Sequence, residues 1–170
     1  MARYTDRPYR ALCKRAGADV MVSEFVQADS LIHGGSRAWR TVDFASGQRP
    51  MGIQIFGSSL DSMGEAARRL EDRLQPDFID LNFGCPADKV VDKNGGSSLL
   101  RDPCALGKVA GTVARAVPNT PVCAKIRIGW DRSSLVAVEV ARIVEAEGLA
   151  SIAIHGRTRE QGYRNGADWG

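Results

Sequence analysis

A chain of 170 residues, 44% hydrophobic and 25% charged, has the composition of one ordinary globular domain. No apolar run is long enough to span a bilayer and no basic-then-apolar leader follows Met1, so a cytoplasmic protein without a membrane partner is expected. The net charge of +3 permits a nucleic-acid partner without requiring one, and Cys13, Cys85, Cys104 and Cys123 lack the close spacing of a zinc or redox pair, so no metal is expected.

Thr5 and Asp6 precede Pro8, a capping residue followed by proline in the first turn, and Tyr9, Leu12, Cys13 and Ala16 recur at helical spacing up to Gly17. Asp19 to Ser23 reads as a short strand with Glu24 at its C-terminal end, and Gln27 to Ile32 as a short helix closed by Gly34 and Gly35. Residues 36–49 have no clear period and read as loop. Pro50 to Gly57 is a strand whose polar interruption is Gln54. Ser58 and Ser59 then open an amphipathic helix with Leu60, Met63, Ala67, Leu70 and Leu74 on one stripe.

Beyond Pro76, residues 77–86 read DFIDLNFGCP, a buried strand ending in a tight loop that carries Cys85 between Gly84 and Pro86. The polar stretch that follows, with Lys89, Asp92, Lys93 and Asn94, shows no packing pattern and is expected to be mobile. Its Gly95, Gly96, Ser97 and Ser98 read either as a hinge or as a phosphate cradle before a helix. Asp102 and Pro103 start a helix that ends before Pro118; Pro121 to Ile128 is a strand containing Lys125 and Arg127. Ser133 and Ser134 open a helix stopped by Gly148. Ser151 to Ile154 is a fifth strand, and it delivers His155, Gly156, Arg157, Thr158 and Arg159.

Strands alternating with amphipathic helices call for parallel pairing, hence an α/β fold. Polar residues at nearly every strand end favour a barrel, in which all those ends meet at one mouth, over a doubly wound sheet with a single crevice. A closed (β/α)8 TIM barrel needs about 250 residues. With five strands visible, the chain is either a small open sheet or an incomplete barrel.

Lys125 inside a strand wants an electron-rich partner, which is either a ligand or a neighbouring carboxylate such as Asp80 or Glu24. His155 is either a satisfied structural histidine or a ligand. Gln54, Lys125 and His155 together would suit a planar polar ring with an attached phosphate, such as a flavin. Cys13 and Cys123 lie in apolar patterns and read as small core residues, and Cys104 as helix-start packing. Arg157, Arg159, Lys89 and Lys93 are solvated charges unless they ring a mouth, where they would meet nucleic-acid phosphates.

The blocks TDRPYR, VQADSL, IQIFG, DFIDLNFGCP, NGGSSLLRDP, AKIRIGWD, IHGRTREQGY and ADW, in this order across the chain, resemble the tRNA-dihydrouridine synthase family. The resemblance implies an FMN-binding barrel that reduces uracil rings in tRNA with NADPH. Gln54, Lys125 and His155 match flavin contacts, Cys85 matches the general acid, and Asn82, Arg127 and Arg157 match positions beside the substrate. Met1 and Ala2 stand where a flavin-touching segment ends, with Arg3 and Tyr4 replacing smaller residues. The resemblance further implies that residues 1–170 form a partial barrel lacking its first and last strands, the latter with loops that would supply the flavin phosphate site. It also implies a C-terminal helical tRNA-binding domain, expected to be absent from residues 1–170, and a full-length protein that is a monomer. Two rival readings are an FMN barrel acting on a free pyrimidine, similar to dihydroorotate dehydrogenase, and an inactive RNA-binding or assembly fragment.

Overall fold

Asp6 opens the first helix, α1 (Arg7–Arg15), by accepting the Tyr9 amide at 2.9 Å, with Pro8 in the first turn. The computed structural model of the chain describes residues 4–169. The apolar stripe expected to bury α1 does not do so: Tyr9 and Leu12 are half exposed, and the residue that faces inward is Arg10. Its guanidinium donates to the carbonyls of Thr5 and Asp43, so this helix is anchored by charge-assisted hydrogen bonds rather than by an apolar face.

Six parallel strand segments follow: β1 (Met21–Val22), β2 (Val26–Gln27), β3 (Met51–Phe56), β4 (Phe78–Phe83), β5 (Val122–Arg127) and β6 (Ser151–His155). Both β1 and β2 pair with β3, in registers Val22↔Gly52 and Val26↔Ile55. Between these pairs three residues, Ser23 to Phe25, oppose two, Ile53 and Gln54, which marks a bulge. Ser23 repairs the ladder there, because its Oγ accepts the Gln54 amide at 3.0 Å. The first predicted strand is thus one interrupted strand reaching Gln27, and the helix expected from Gln27 is α2 (Ala28–Ile32).

The loop expected over 36–49 instead contains α3 (Ser36–Val42) and a 3₁₀ turn at Ser46–Gln48. Two turns give too few repeats of Ala38 and Val42, both buried, for a period to be visible. The long helix α4 (Leu60–Leu74) is capped by Ser59 and ends at Gln75 with φ +48°; it buries Met63, Ala66, Ala67 and Leu70, whereas Leu60 is exposed. After β4 come a short helix, α5 (Asp88–Val91), a 3₁₀ turn at Gly96–Arg101, and α6 (Pro103–Ala116), whose cap is Asp102. The last helix, α7 (Ala137–Ala146), begins later than predicted. Ser133 and Ser134 donate instead to Asp131 Oδ1 in a turn, so these hydroxyls do not cap it.

The strand order is β1, β3, β4, β5, β6, and α2, α4, α6 and α7 pack neighbour to neighbour along one face. Gly107 lets α6 approach α7 closely: a Cβ there would sit 2.5 Å from Ile143 Cγ2. Helices on one face only curl the sheet, giving a parallel half-barrel of five strand lines, an incomplete (β/α) barrel. The period-two code is clean. Ile79, Leu81, Val122, Ala124 and Ile126 are buried towards the helices, while Asp80, Asn82, Lys125 and Arg127 share the concave face.

Candidate functional site at the strand ends

A cavity of about 820 Å³ opens at the C-terminal strand ends and brings together Gln54, Asn82, Cys85, Lys125, Arg127 and His155. The register explains the convergence, since Gln54 pairs with Asp80, Asn82 with Lys125 and Arg127 with His155 across the sheet. Met1 and Ala2 lie outside the described residues. Arg157 follows β6 on the same edge.

The floor is a relay of oriented amides. Gln54 Nε2 donates to Asp80 Oδ2 at 2.6 Å, and Asn82 Nδ2 donates to Gln54 Oε1 at 2.8 Å. Asn82 Oδ1 then accepts the amides of Gly84 and Cys85 at 3.2 and 2.9 Å. The acceptor-only carboxylate of Asp80 thereby dictates which way both amides point. Asn82 shapes the Cys85 loop as well as lining the pocket.

From the other side, Ser97 donates to the Cys85 carbonyl through its amide at 3.1 Å and its Oγ at 2.8 Å, and Ser97 is fully buried. Gly96 has φ +57°, and a Cβ there would lie 2.7 Å from the Cys85 oxygen. This corrects both readings of the Gly95 to Ser98 stretch. It is neither a hinge nor a phosphate cradle, because the Ser97 amide and hydroxyl are committed to the Cys85 carbonyl, the Gly95 amide to Val90, and the Ser98 amide and hydroxyl to Gly95. The stretch before it is also not the patternless loop expected, since α5 seats Val90 in the interior.

Arg127 is 2% exposed and ties three loop carbonyls together. It donates from Nε to Gly84 at 2.9 Å, and from Nη1 to Thr158 at 2.9 Å and Gly162 at 2.8 Å. Arg157 contacts His155 Nε2 at 3.2 Å through Nη1 and donates from Nε to the Asn165 carbonyl. Arg127 thus joins the loops after β4 and β6, whereas both Arg157 contacts stay with β6 and the segment after it.

Lys125 departs from expectation in being exposed, since the concave side of the sheet is open, and it forms no ion pair among the described residues. Partial burial lowers its pKa, the Asp80 charge opposes this, and Arg127 adds to the lowering. Glu24 is turned elsewhere and accepts the Thr5 amide. Burial raises the Asp80 carboxyl, against the Gln54 hydrogen bond and the Lys125 charge. Burial also lowers the His155 pKa, helped by Arg127, Lys125 and Arg157. Of the other cysteines, Cys104 is exposed and Cys13 and Cys123 are only half-buried, because Cys123 falls on the concave parity of β5.

The His155 shift predicts a pH effect on stability. A folded-state pKa below the ordinary value of about 6.5 makes the unfolded chain bind more protons, so stability is lost as pH falls from 6.5 through the folded value. The melting temperature of the wild-type chain is therefore expected to drop more between pH 7 and 5 than that of His155→Gln. Asp80, shifted the other way, gains stability on acidification in both proteins, so their difference is the readout. Parallel profiles would show that His155 carries no such linkage.

Among the described residues, no helix is long and apolar enough to cross a membrane, and no group of three or more His, Cys, Asp or Glu is placed to hold a metal. A parallel half-barrel with a cavity at the C-terminal strand ends belongs to the α/β class that carries its chemistry on that edge. Residues 1–170 match the family model described as Dihydrouridine synthase (Dus), and the chain belongs to that family. It is 43% identical over 170 residues to a "Probable tRNA-dihydrouridine synthase" of Rhizobium leguminosarum, a match covering 99% of this chain and 52% of that protein. A "tRNA-dihydrouridine synthase B" of Pseudomonas aeruginosa is 40% identical over 169 residues, covering 99% and 50%. A "Probable tRNA-dihydrouridine synthase" of Aquifex aeolicus is 37% identical over 174 residues, covering 99% and 53%. The chain spans about half the length of these curated relatives.

Proposed function

We propose that this chain carries the catalytic half-barrel of a flavoenzyme that reduces uridine in tRNA to 5,6-dihydrouridine, with FMN and NADPH as cofactors. The observation that carries the proposal is the convergence of Cys85, Gln54, Lys125 and His155 on one cavity at the strand ends of a chain from this family. The donor set fits a flavin ring. Lys125 offers a cation with no ion pair among the described residues, Gln54 an amide with a spare donor and acceptor, and His155 an imidazole held towards its neutral form.

Gln54, Lys125 and His155 would hold the FMN, which, reduced by NADPH, would supply the hydride for carbon 6 of the uracil ring. The chain itself supplies the proton. Cys85 Sγ–H gives it to carbon 5, and the thiolate left behind is reprotonated from solvent. A relay ending on the Cys85 amide, together with Ser97 on its carbonyl, holds that thiol at the pocket wall without spending the sulfur on a structural bond. Asn82 and Arg127 shape the wall beside the substrate, and Arg157 faces its RNA backbone. A uracil in folded tRNA has to leave its stack to reach the cavity.

The test is incubation with FMN, NADPH and unmodified tRNA, followed by measurement of dihydrouridine; tRNA left unreduced by a chain that has bound flavin would overturn the proposal. In the same assay Lys125→Ala is expected to weaken FMN binding by about tenfold, the loss of one charge-assisted hydrogen bond. Unchanged flavin occupancy at limiting FMN would count against Lys125 as a cofactor contact.

A further inference from the structure

Outside the cavity, two guanidinium groups converge on one indole. Arg101 lies 3.5 Å and Arg159 4.7 Å from the centre of the Trp130 ring. The three residues come from three different connections on the mouth edge: the 3₁₀ turn downstream of Cys85, the loop after β5, and the loop after β6. Those loops are locked to each other, since the Arg159 amide donates to Gly129 and the Glu160 amide to Trp130, both at 3.0 Å. The cluster is preorganised.

Its charge is poorly compensated. Arg159 meets the Asp88 carboxylate at 2.8 Å, but that carboxylate is 84% exposed, so the pair is weak and exchangeable. Arg159 Nε is buried with no hydrogen-bond partner among the described residues. Arg101 is exposed, and among the described residues it has the indole and no carboxylate. Two like charges gathered on one ring repel each other, and the arrangement is stabilised when an anion arrives between or beside them. Guanidinium forks beside an aromatic face match a phosphate with an adjacent base, which is the chemistry of an RNA backbone.

We propose that Arg101, Trp130 and Arg159 form a phosphate-binding point on the rim, which holds the RNA backbone next to the nucleotide in the cavity, with Asp88 as the carboxylate that the phosphate displaces from Arg159. This rests on tRNA being the substrate. Each phosphate neutralised releases counterions, so the site has a signature that a merely structural stack lacks.

The experiment measures binding of an unmodified tRNA transcript by fluorescence anisotropy from 50 to 200 mM KCl, with dihydrouridine formation followed in parallel. Arg101→Gln is expected to make the slope of log K against log salt shallower by about 0.7 to 0.9, the share of a single phosphate. Asp88→Asn removes the competing carboxylate and is expected to tighten binding. A slope unchanged by Arg101→Gln, weaker binding by Asp88→Asn, or a wild-type chain that does not bind tRNA would each overturn the rim proposal. If the wild-type chain and variants bind as expected but no dihydrouridine forms, the rim stands and the reaction assigned to the cavity falls. Melting temperatures of both variants within a few degrees of wild type establish that binding, not folding, is being read.

Discussion

Replacing Cys85 by alanine is expected to lower dihydrouridine formation by about 10²- to 10⁴-fold, the range for loss of a positioned general acid, while flavin reduction by NADPH proceeds at its wild-type rate. The structure makes this substitution clean. The Cys85 loop is held by its backbone, through the amide bond to Asn82 Oδ1 and the two donors of Ser97 on the carbonyl. None of these needs the sulfur. Removing the thiol therefore removes the proposed proton donor without moving the loop, and the melting temperature should stay near that of wild type. Stopped-flow bleaching of the flavin and product analysis of the tRNA separate the two half-reactions. Loss of both together would show that Cys85 acts through the fold and not on the substrate. Cys85→Ser tests the same assignment from the chemical side, because a hydroxyl in the same place is a far weaker acid than a thiol and should rescue little.

Much of this site is legible without coordinates, and the reason is the strand code. Polar residues interrupting apolar strands, such as Gln54, Asn82, Lys125 and Arg127, are conspicuous because burial of the alternate positions is so regular. Asp80 shares the parity of Asn82, and that signal alone could have placed it on the concave face as part of the site. What sequence does not reveal is direction. Arg127 and Asn82, matched to substrate positions by resemblance, also spend their polar atoms on backbone, and only geometry shows that Gln54 passes the orientation of Asp80 on to Asn82. The elements that escape sequence reading have a common cause. α3, α5 and the 3₁₀ turns are too short to display a period, and α1 is anchored by a buried arginine that no hydrophobic pattern anticipates. Ser97 gives no signal of its own because its function depends on a loop twelve residues upstream.

Arg127 is where the largest loss of stability is expected. Arg127→Met keeps much of the volume but leaves the carbonyls of Gly84, Thr158 and Gly162 without their donor, in a place where the side chain is 2% exposed. Burial already lowers the Arg127 pKa, so removing the charge also relieves a desolvation cost, and the two effects oppose each other. Three charge-assisted bonds outweigh one relieved charge, and the net cost is expected to be about 2 to 4 kcal/mol in urea unfolding, with the m-value unchanged. Arg127→Lys separates the contributions: it retains the charge but a single ammonium lacks the planar fork that reaches carbonyls on two loops, so it should recover less than half of the loss. Since Arg127 ties the turn carrying Gly84 and Cys85 to the segment after β6, amide exchange should quicken at both ends of that tie, around Cys85 and around Thr158 to Gly162. A cost below about 1 kcal/mol would mean that water satisfies the three carbonyls, and the loops are then joined by their own backbone bonds rather than by the guanidinium.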